Sequence, residues 1–232
     1  MNLLKTLACA ALMVPSCAFA ARPFVTDDAR LTTGGSCQLE SWMRSYPQSK
    51  ELWALPACNP TGNLEFTFGG GAAKQEGMQA TNDYIFQVKT LFRELETNSW
   101  GWGLAAGTIR HPEINPGPNM LGNNYVYIPL SFSLRDDKVI VHMNVGWLKD
   151  KASSLNSATW GIGGEFKLHS RLLGVAETYG DNRGLSYGQV GVRYSVVPNL
   201  FQVDATVGQQ LSGVGDSRWV SFGIRYTPAK LF

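Results

Sequence analysis

The sequence predicts an all-β protein, a membrane-spanning antiparallel up-and-down β-barrel of about 12 strands with short periplasmic turns and longer external loops. Three observations carry this. Apolar residues alternate with polar or small ones through most of the chain, and strand side chains alternate between faces with a period of two. The alternating stretches run about ten residues, the length a tilted strand needs to cross a bilayer. Their connections alternate between tight (NPTG, RDDK, HSR, VVPN) and longer (AKQEGMQATND, RHPEINPGPNMLGNN, KDKASSLNSA, YGDNRGLS).

The chain opens with Lys5, an apolar run from Leu7 to Val14, and Ala18-Phe19-Ala20 ahead of Ala21. This is the pattern of a cleaved secretory signal peptide over residues 1–20. A lipoprotein box at Cys17 is the rival reading, and Pro15 fits it poorly. Residues 21–35 are expected as a periplasmic N-terminal segment and residues 36–232 as the barrel. After the leader two cysteines remain, Cys37 and Cys58. An even pair in an exported chain without a C-x-x-C motif reads as a structural disulfide.

The first hairpin, QLESWMRSY and ELWALPAC, centres near Pro47 and Gln48. That register pairs Cys37 with Cys58, Trp42 with Trp53 and Arg44 with Glu51. NLEFTFGG follows as the third strand. Residues 83–95, DYIFQVKTLFREL, fit a strand with Tyr84, Phe86, Val88 and Phe92 on one face. They also fit a helix, through Tyr84, Val88, Leu91, Phe92 and Leu95. Strands on both sides and short connections favour the strand. SWGWGLAAG and YVYIPLSFSL alternate next, then KVIVHMNVGWLK, whose odd positions from Val139 to Trp147 are apolar while His142 and Asn144 fall on the other face. TWGIGGEFKL, a strand carrying Glu177, SYGQVGVRY, FQVDATVGQ and WVSFGIRY complete the set.

A soluble sandwich alternates as well. Its polar face would carry mainly long, solvated Lys, Glu and Ser side chains. Here that face holds Gly, Ala, Tyr, Gln and sparse mixed charge, and Trp and Tyr cluster at strand ends, which suits lipid outside and a crowded lumen inside. Register then predicts a polar ladder on one inner wall: Glu177, Gln189, Arg193, Asp204, Arg225 and Glu40, with Asp204 between Arg193 and Arg225. Tyr125, Tyr127, His142, Asn144, Glu165 and Lys167 also face the lumen. Gly101, Gly103, Ala105 and Gly107 thin the opposite wall, and Gly161 and Gly163 thin it again, either leaving a channel or making room for large side chains.

The formal net charge of +2, with 16% of residues charged, gives no ground for a nucleic-acid partner. No metal-ligand cluster, phosphate loop or cofactor motif appears, and no cofactor is expected. An outer-membrane lipid hydrolase would need nucleophile, base and acid together. His169 and Ser170 are adjacent and so point apart in a strand. His111 lies among prolines. His142 has Ser131 and Ser133 on the neighbouring strand and no evident acid. No catalytic residue is assigned, and the chain is not expected to be an enzyme.

The string RPFVTDDAR with Gly34, Gly35 and Glu40, then VHMNVGWL, AETYGDN, GQVGVRYSVVPNLFQVDATVG and SFGIRYTP, resembles outer-membrane proteins of the MetA-pathway of phenol degradation family. The resemblance spreads over nearly all of the mature chain. It implies a Gram-negative outer-membrane barrel in contact with lipid that transports small aromatic or apolar molecules. A plugged structural barrel is the alternative.

Overall fold

The computed structural model describes residues 23–110, 122–212 and 218–232. The leader expected over residues 1–20 and His111 lie outside these. Twelve strands follow one another: β1 (Ser36–Ser45), β2 (Ser49–Asn59), β3 (Glu65–Gln75), β4 (Thr81–Arg93), β5 (Trp100–Arg110), β6 (Asn123–Leu134), β7 (Val139–Lys149), β8 (Asn156–His169), β9 (Leu172–Asp181), β10 (Ser186–Val197), β11 (Phe201–Ser212) and β12 (Trp219–Tyr226). Each pairs antiparallel with its sequence neighbours, and β1 closes on β12 from Leu39↔Tyr226 to Ser45↔Val220. Closure leaves no unpaired sheet edge, the condition for placing backbone in hydrocarbon.

The alternation sorts the side chains. Phe68, Tyr84, Val145, Ile162, Val190 and Phe222 stand on the outer surface, with Val145 67% exposed. His142, two residues before Asn144 on the other face of β7, is fully buried. The 83–95 ambiguity resolves as β4. Its outward Tyr84, Phe86 and Phe92 are exposed and its inward Ile85, Lys89 and Leu91 are buried. Cross-strand pairing with both β3 and β5 outweighs the helical spacing. A register shift between Leu91 and Arg93 bends the strand near its end.

The first hairpin pairs Cys37 with Cys58, Trp42 with Trp53 and Arg44 with Glu51. Cys37 and Cys58 are disulfide-bonded, and the Trp42 and Trp53 rings stack at 6.0 Å. At one rim the connections are residues 60–64, 94–99, 135–138, 170–171 and 198–200. At the other they are 46–48, 76–80, 111–122, 150–155, 182–185 and 213–218. The strands reach into the stretches expected as external loops. β3 continues to Gln75 and β4 begins at Thr81, inside AKQEGMQATND.

In the 135–138 turn, Arg135, Asp136 and Asp137 all have φ between 55° and 59°, a left-handed conformation that side chains ordinarily avoid. Side chains hold it. Asn98 Nδ2 donates to Asp136 at 2.6 Å, and the Thr97 and Ser133 hydroxyls both donate to Asp137. The hydroxyls of Ser133 and then Thr97 hold the Asp137 carboxyl below the usual carboxylate range.

Candidate functional site: the occupied lumen

Twelve strands enclose more room than eight, whose interior side chains alone can fill, and less than the sixteen or more that leave an aqueous channel. The space here is taken by the chain's own N-terminal segment. Residues 21–35 were expected outside the barrel, on the periplasmic side. Residues 23–33 instead run through its interior, from the 60–64 rim towards the middle. Phe24, Val25, Thr26, Asp27, Asp28, Ala29 and Thr32 are all buried.

A segment in water can leave its backbone to solvent, whereas a buried one must find partners. This one makes no strand pairing, and lumen side chains supply them. Glu177 accepts the amides of Val25 and Thr26 at 2.7 and 2.9 Å. Ser131 Oγ accepts that of Ala29 at 2.9 Å, and Glu65 that of Thr32 at 2.6 Å. Gln189 Nε2 donates to the Pro23 carbonyl at 2.9 Å, and Asn59 Nδ2 to that of Thr32 at 2.7 Å. Asn144, its amide oriented to suit its surroundings, exchanges bonds of 2.7 and 2.9 Å with the Asp27 backbone.

Charge fixes the segment's position. Lys89 on β4 donates to Asp27 at 2.8 Å and lies 3.6 Å from Asp28, all three within the buried interior. Tyr127 Oη donates to Asp27 at 2.7 Å. Arg30 lies 3.5 Å from Asp28 and 3.6 Å from Glu165, whose carboxylate also takes Arg193 at 2.7 Å. The room left by the glycines of β8, open as a channel or for large side chains in the sequence, is taken partly by this segment. A Cβ at Gly161 would lie 2.4 Å from Thr26 Oγ1, and one at Gly163 would lie 3.1 Å from the Phe24 ring. On the other thinned wall Tyr125 lies over Gly107, where a Cβ would stand 2.3 Å from its hydroxyl.

The ladder residues all line the lumen. Glu177 stands opposite Gln189, and Gln189 Nε2 donates to its carboxylate at 2.7 Å. Arg193 is opposite Asp204. Arg225 is opposite Glu40, at 3.4 Å, and opposite Gln202. The β12 register partner of Asp204 is Gly223, so Arg225 lies two residues from the position expected for it. The two-residue offset keeps every side chain on its expected face. Lys167 stays exposed at the 170–171 rim.

His142 has the acid that sequence reading did not find. Ser131 Oγ is 2.8 Å from Nδ1, and Glu165 Oε1 is 3.8 Å from Nε2. The order matches a hydrolytic triad, but the setting does not. The Ser131 hydroxyl oxygen already accepts the Ala29 amide, and both Ser131 and His142 are fully buried. A nucleophile needs an open approach to a carbonyl, and this one is covered by residues 24–29. The three groups latch the segment, with the Phe24 ring edge-on to His142 at 5.6 Å. Among the described residues no cluster of His, Cys, Asp and Glu is grouped to hold a metal ion.

Two cavities flank the segment. One of about 40 Å³ is lined by Asp28, Glu40, Glu65, Lys89 and Arg225. The other, about 90 Å³, is lined by Val25, Tyr125, Tyr127, Leu148, Tyr179 and Tyr187.

A closed barrel of this size with a polar, partly filled lumen has the fold of outer-membrane porins. The KdgM porin in complex with disordered oligogalacturonate superposes with a TM-score of 0.61 at 9% identity, over 82% of this chain and 99% of that one. The NanC porin gives 0.59 at 11% identity, over 83% and 100%. The COG4313 outer membrane channel from Pseudomonas putida F1 gives 0.56 at 12%, over 86% and 97%. At these identities the likeness is one of fold. The chain belongs to the family described as uncharacterised conserved protein UCP029691, whose model matches residues 8–227. The match is to this family and not specifically to the phenol-degradation one that RPFVTDDAR resembles. No curated protein has a matching sequence.

Proposed function

We propose that the protein is an outer-membrane channel for small molecules, exported by its leader and held shut by its own N-terminal segment. The observation that carries this reading is the occupied lumen, in which residues 23–33 are bound almost entirely by side chains. Side-chain bonds can be exchanged for water without breaking the barrel's own ladder. The segment can then leave while the twelve strands stay paired. Fold likeness to porins and to a channel supports the class. It does not name a solute.

A permanently plugged structural barrel is the second reading, favoured by the burial of Lys89 with Asp27 and Asp28. Conductance in planar bilayers separates the two. The mature chain should give rare, brief openings, whereas a variant lacking residues 21–33 should give steady steps. Asp27→Asn with Asp28→Asn should lie between them. A folded deletion variant that passes no current would establish the structural barrel. Steady conduction by the intact chain would show that the segment closes nothing.

A further inference from the structure

Cations inside the lumen are matched. Lys89, Arg193 and Arg225 each lie within 3.4 Å of a carboxylate. Arg44, near the upper end of β1 (the end at the 46–48 rim), breaks the pattern: among the described residues no carboxylate comes within 4.0 Å of it. Its register partner Glu51 accepts from Trp53 Nε1 at 3.4 Å and forms no ion pair with it. The guanidinium stands instead in an aromatic frame, with its Cζ 5.2 Å from the Trp219 ring centre and Nη1 3.5 Å from Tyr46 Oη. Arg44 Nε and Trp219 Nε1 are both buried donors without an acceptor.

A buried guanidinium Nε–H and a buried indole N–H, each without an acceptor, carry a cost that an anionic acceptor would remove. The frame around them is built for a flat body. Tyr46 and Tyr187 lie 6.1 and 6.2 Å from Trp219, and Tyr179 stacks on Tyr187 at 5.3 Å. Gly208 clears space for the indole, since a Cβ there would stand 2.3 Å from it. The cavity of about 90 Å³ adjoins the same rings through Tyr179 and Tyr187. Tyr46, Tyr187 and Trp219 all lie at or beside strand ends on the 46–48 rim, so a solute arriving there meets this frame before it meets the N-terminal segment.

We infer that this upper lumen is a binding site for a small organic carboxylate with a planar, aromatic body. Arg44 and Trp219 Nε1 take the carboxylate, since a guanidinium presents a fork that matches its two oxygens. Tyr46, Tyr179 and Tyr187 take the ring, in the offset or edge-on contacts that aromatic pairs prefer. Val25 packs on Tyr179 and Trp219 from below, so the occupant rests against the end of the N-terminal segment. The inference deepens the channel reading by naming a class of solute, while binding itself is independent of conduction.

The test is calorimetric titration of the detergent-refolded mature protein with benzoate, alongside its neutral isostere benzamide and the ring-less acetate. Benzoate should bind saturably, and benzamide and acetate each at least about tenfold more weakly. Arg44→Gln should bring benzoate down to the benzamide level, and Arg44→Lys, which keeps charge without the planar fork, should fall between. Heat-modifiable gel mobility checks that each variant is folded. Benzoate binding that is absent, unchanged in folded Arg44→Gln, or matched by acetate or benzamide would overturn the inference. Because the readout is heat and not current, its failure leaves the channel reading standing. A deletion variant that passes no current, conversely, overturns the channel reading and leaves benzoate binding by the intact mature chain untouched.

Discussion

The two halves of the lumen solve different problems with the same wall. Near the 60–64 rim and the middle, charge fills the space: Lys89 with Asp27 and Asp28, Arg193 and Arg30 with Glu165, Arg225 with Glu40. Near the 46–48 rim it is filled by rings, Tyr46, Tyr179, Tyr187 and Trp219, around Arg44, which forms no ion pair among the described residues. Buried ion pairs demand fixed geometry and penalise any loss of a partner, so the lower half specifies where the N-terminal segment goes. Aromatic contacts tolerate sliding and exchange, so the upper half can accept a guest. One half locks and the other receives.

The largest effect should come from breaking the lock. Lys89→Met leaves Asp27 and Asp28 buried without their shared cation, and the urea unfolding midpoint in detergent should fall by the equivalent of about 3–5 kcal/mol. An unchanged midpoint would mean that water already reaches this pair. The matching change in the upper half is Val25→Ala, which trims the segment where it meets Tyr179 and Trp219. It removes two methyl carbons, and the cost should be smaller, on the order of 1–2 kcal/mol. If Val25→Ala proved the more damaging of the two, the contrast between the halves would be reversed.

Much of the barrel could be read from the chain because alternation with period two is local. Val139 to Trp147 declared their outer face without reference to any other strand. The tight VVPN turn carried register from β10 to β11, so Arg193 stands opposite Asp204, and across the longer YGDNRGLS connection Glu177 stands opposite Gln189. The reading slipped by two residues where register had to be carried across residues 213–218, and Arg225 met Gln202 instead of Asp204. Alternation cannot detect a two-residue slip, because it preserves the face.

The occupied lumen was not legible, for a related reason. Residues 23–33 have no period, and their partners Asn59, Glu65, Lys89, Ser131, Glu177 and Gln189 come from strands spread along the whole chain. Two traces were present in the sequence. Gly161 and Gly163 made a hollow, open as a channel or filled by large side chains, and Lys89 sat on an inward position of β4, where Glu65 across from it accepts the Thr32 amide. Asp27 and Asp28 are the acids that take the Lys89 charge. Arg44 misled in the opposite direction, since Glu51 lies across from it in register and yet forms no ion pair.

The claim on which the rest depends is that residues 23–33 lie docked inside the barrel, and amide hydrogen exchange reads it directly. The amides of Val25, Thr26, Ala29 and Thr32 donate to Glu177, Ser131 and Glu65. In the refolded mature protein, a peptide covering residues 23–33 should therefore exchange over hours, on the scale of the β4 and β9 strands and far more slowly than the 76–80 loop. Exchange of that peptide as fast as the loop would place the segment outside the lumen and contradict the account.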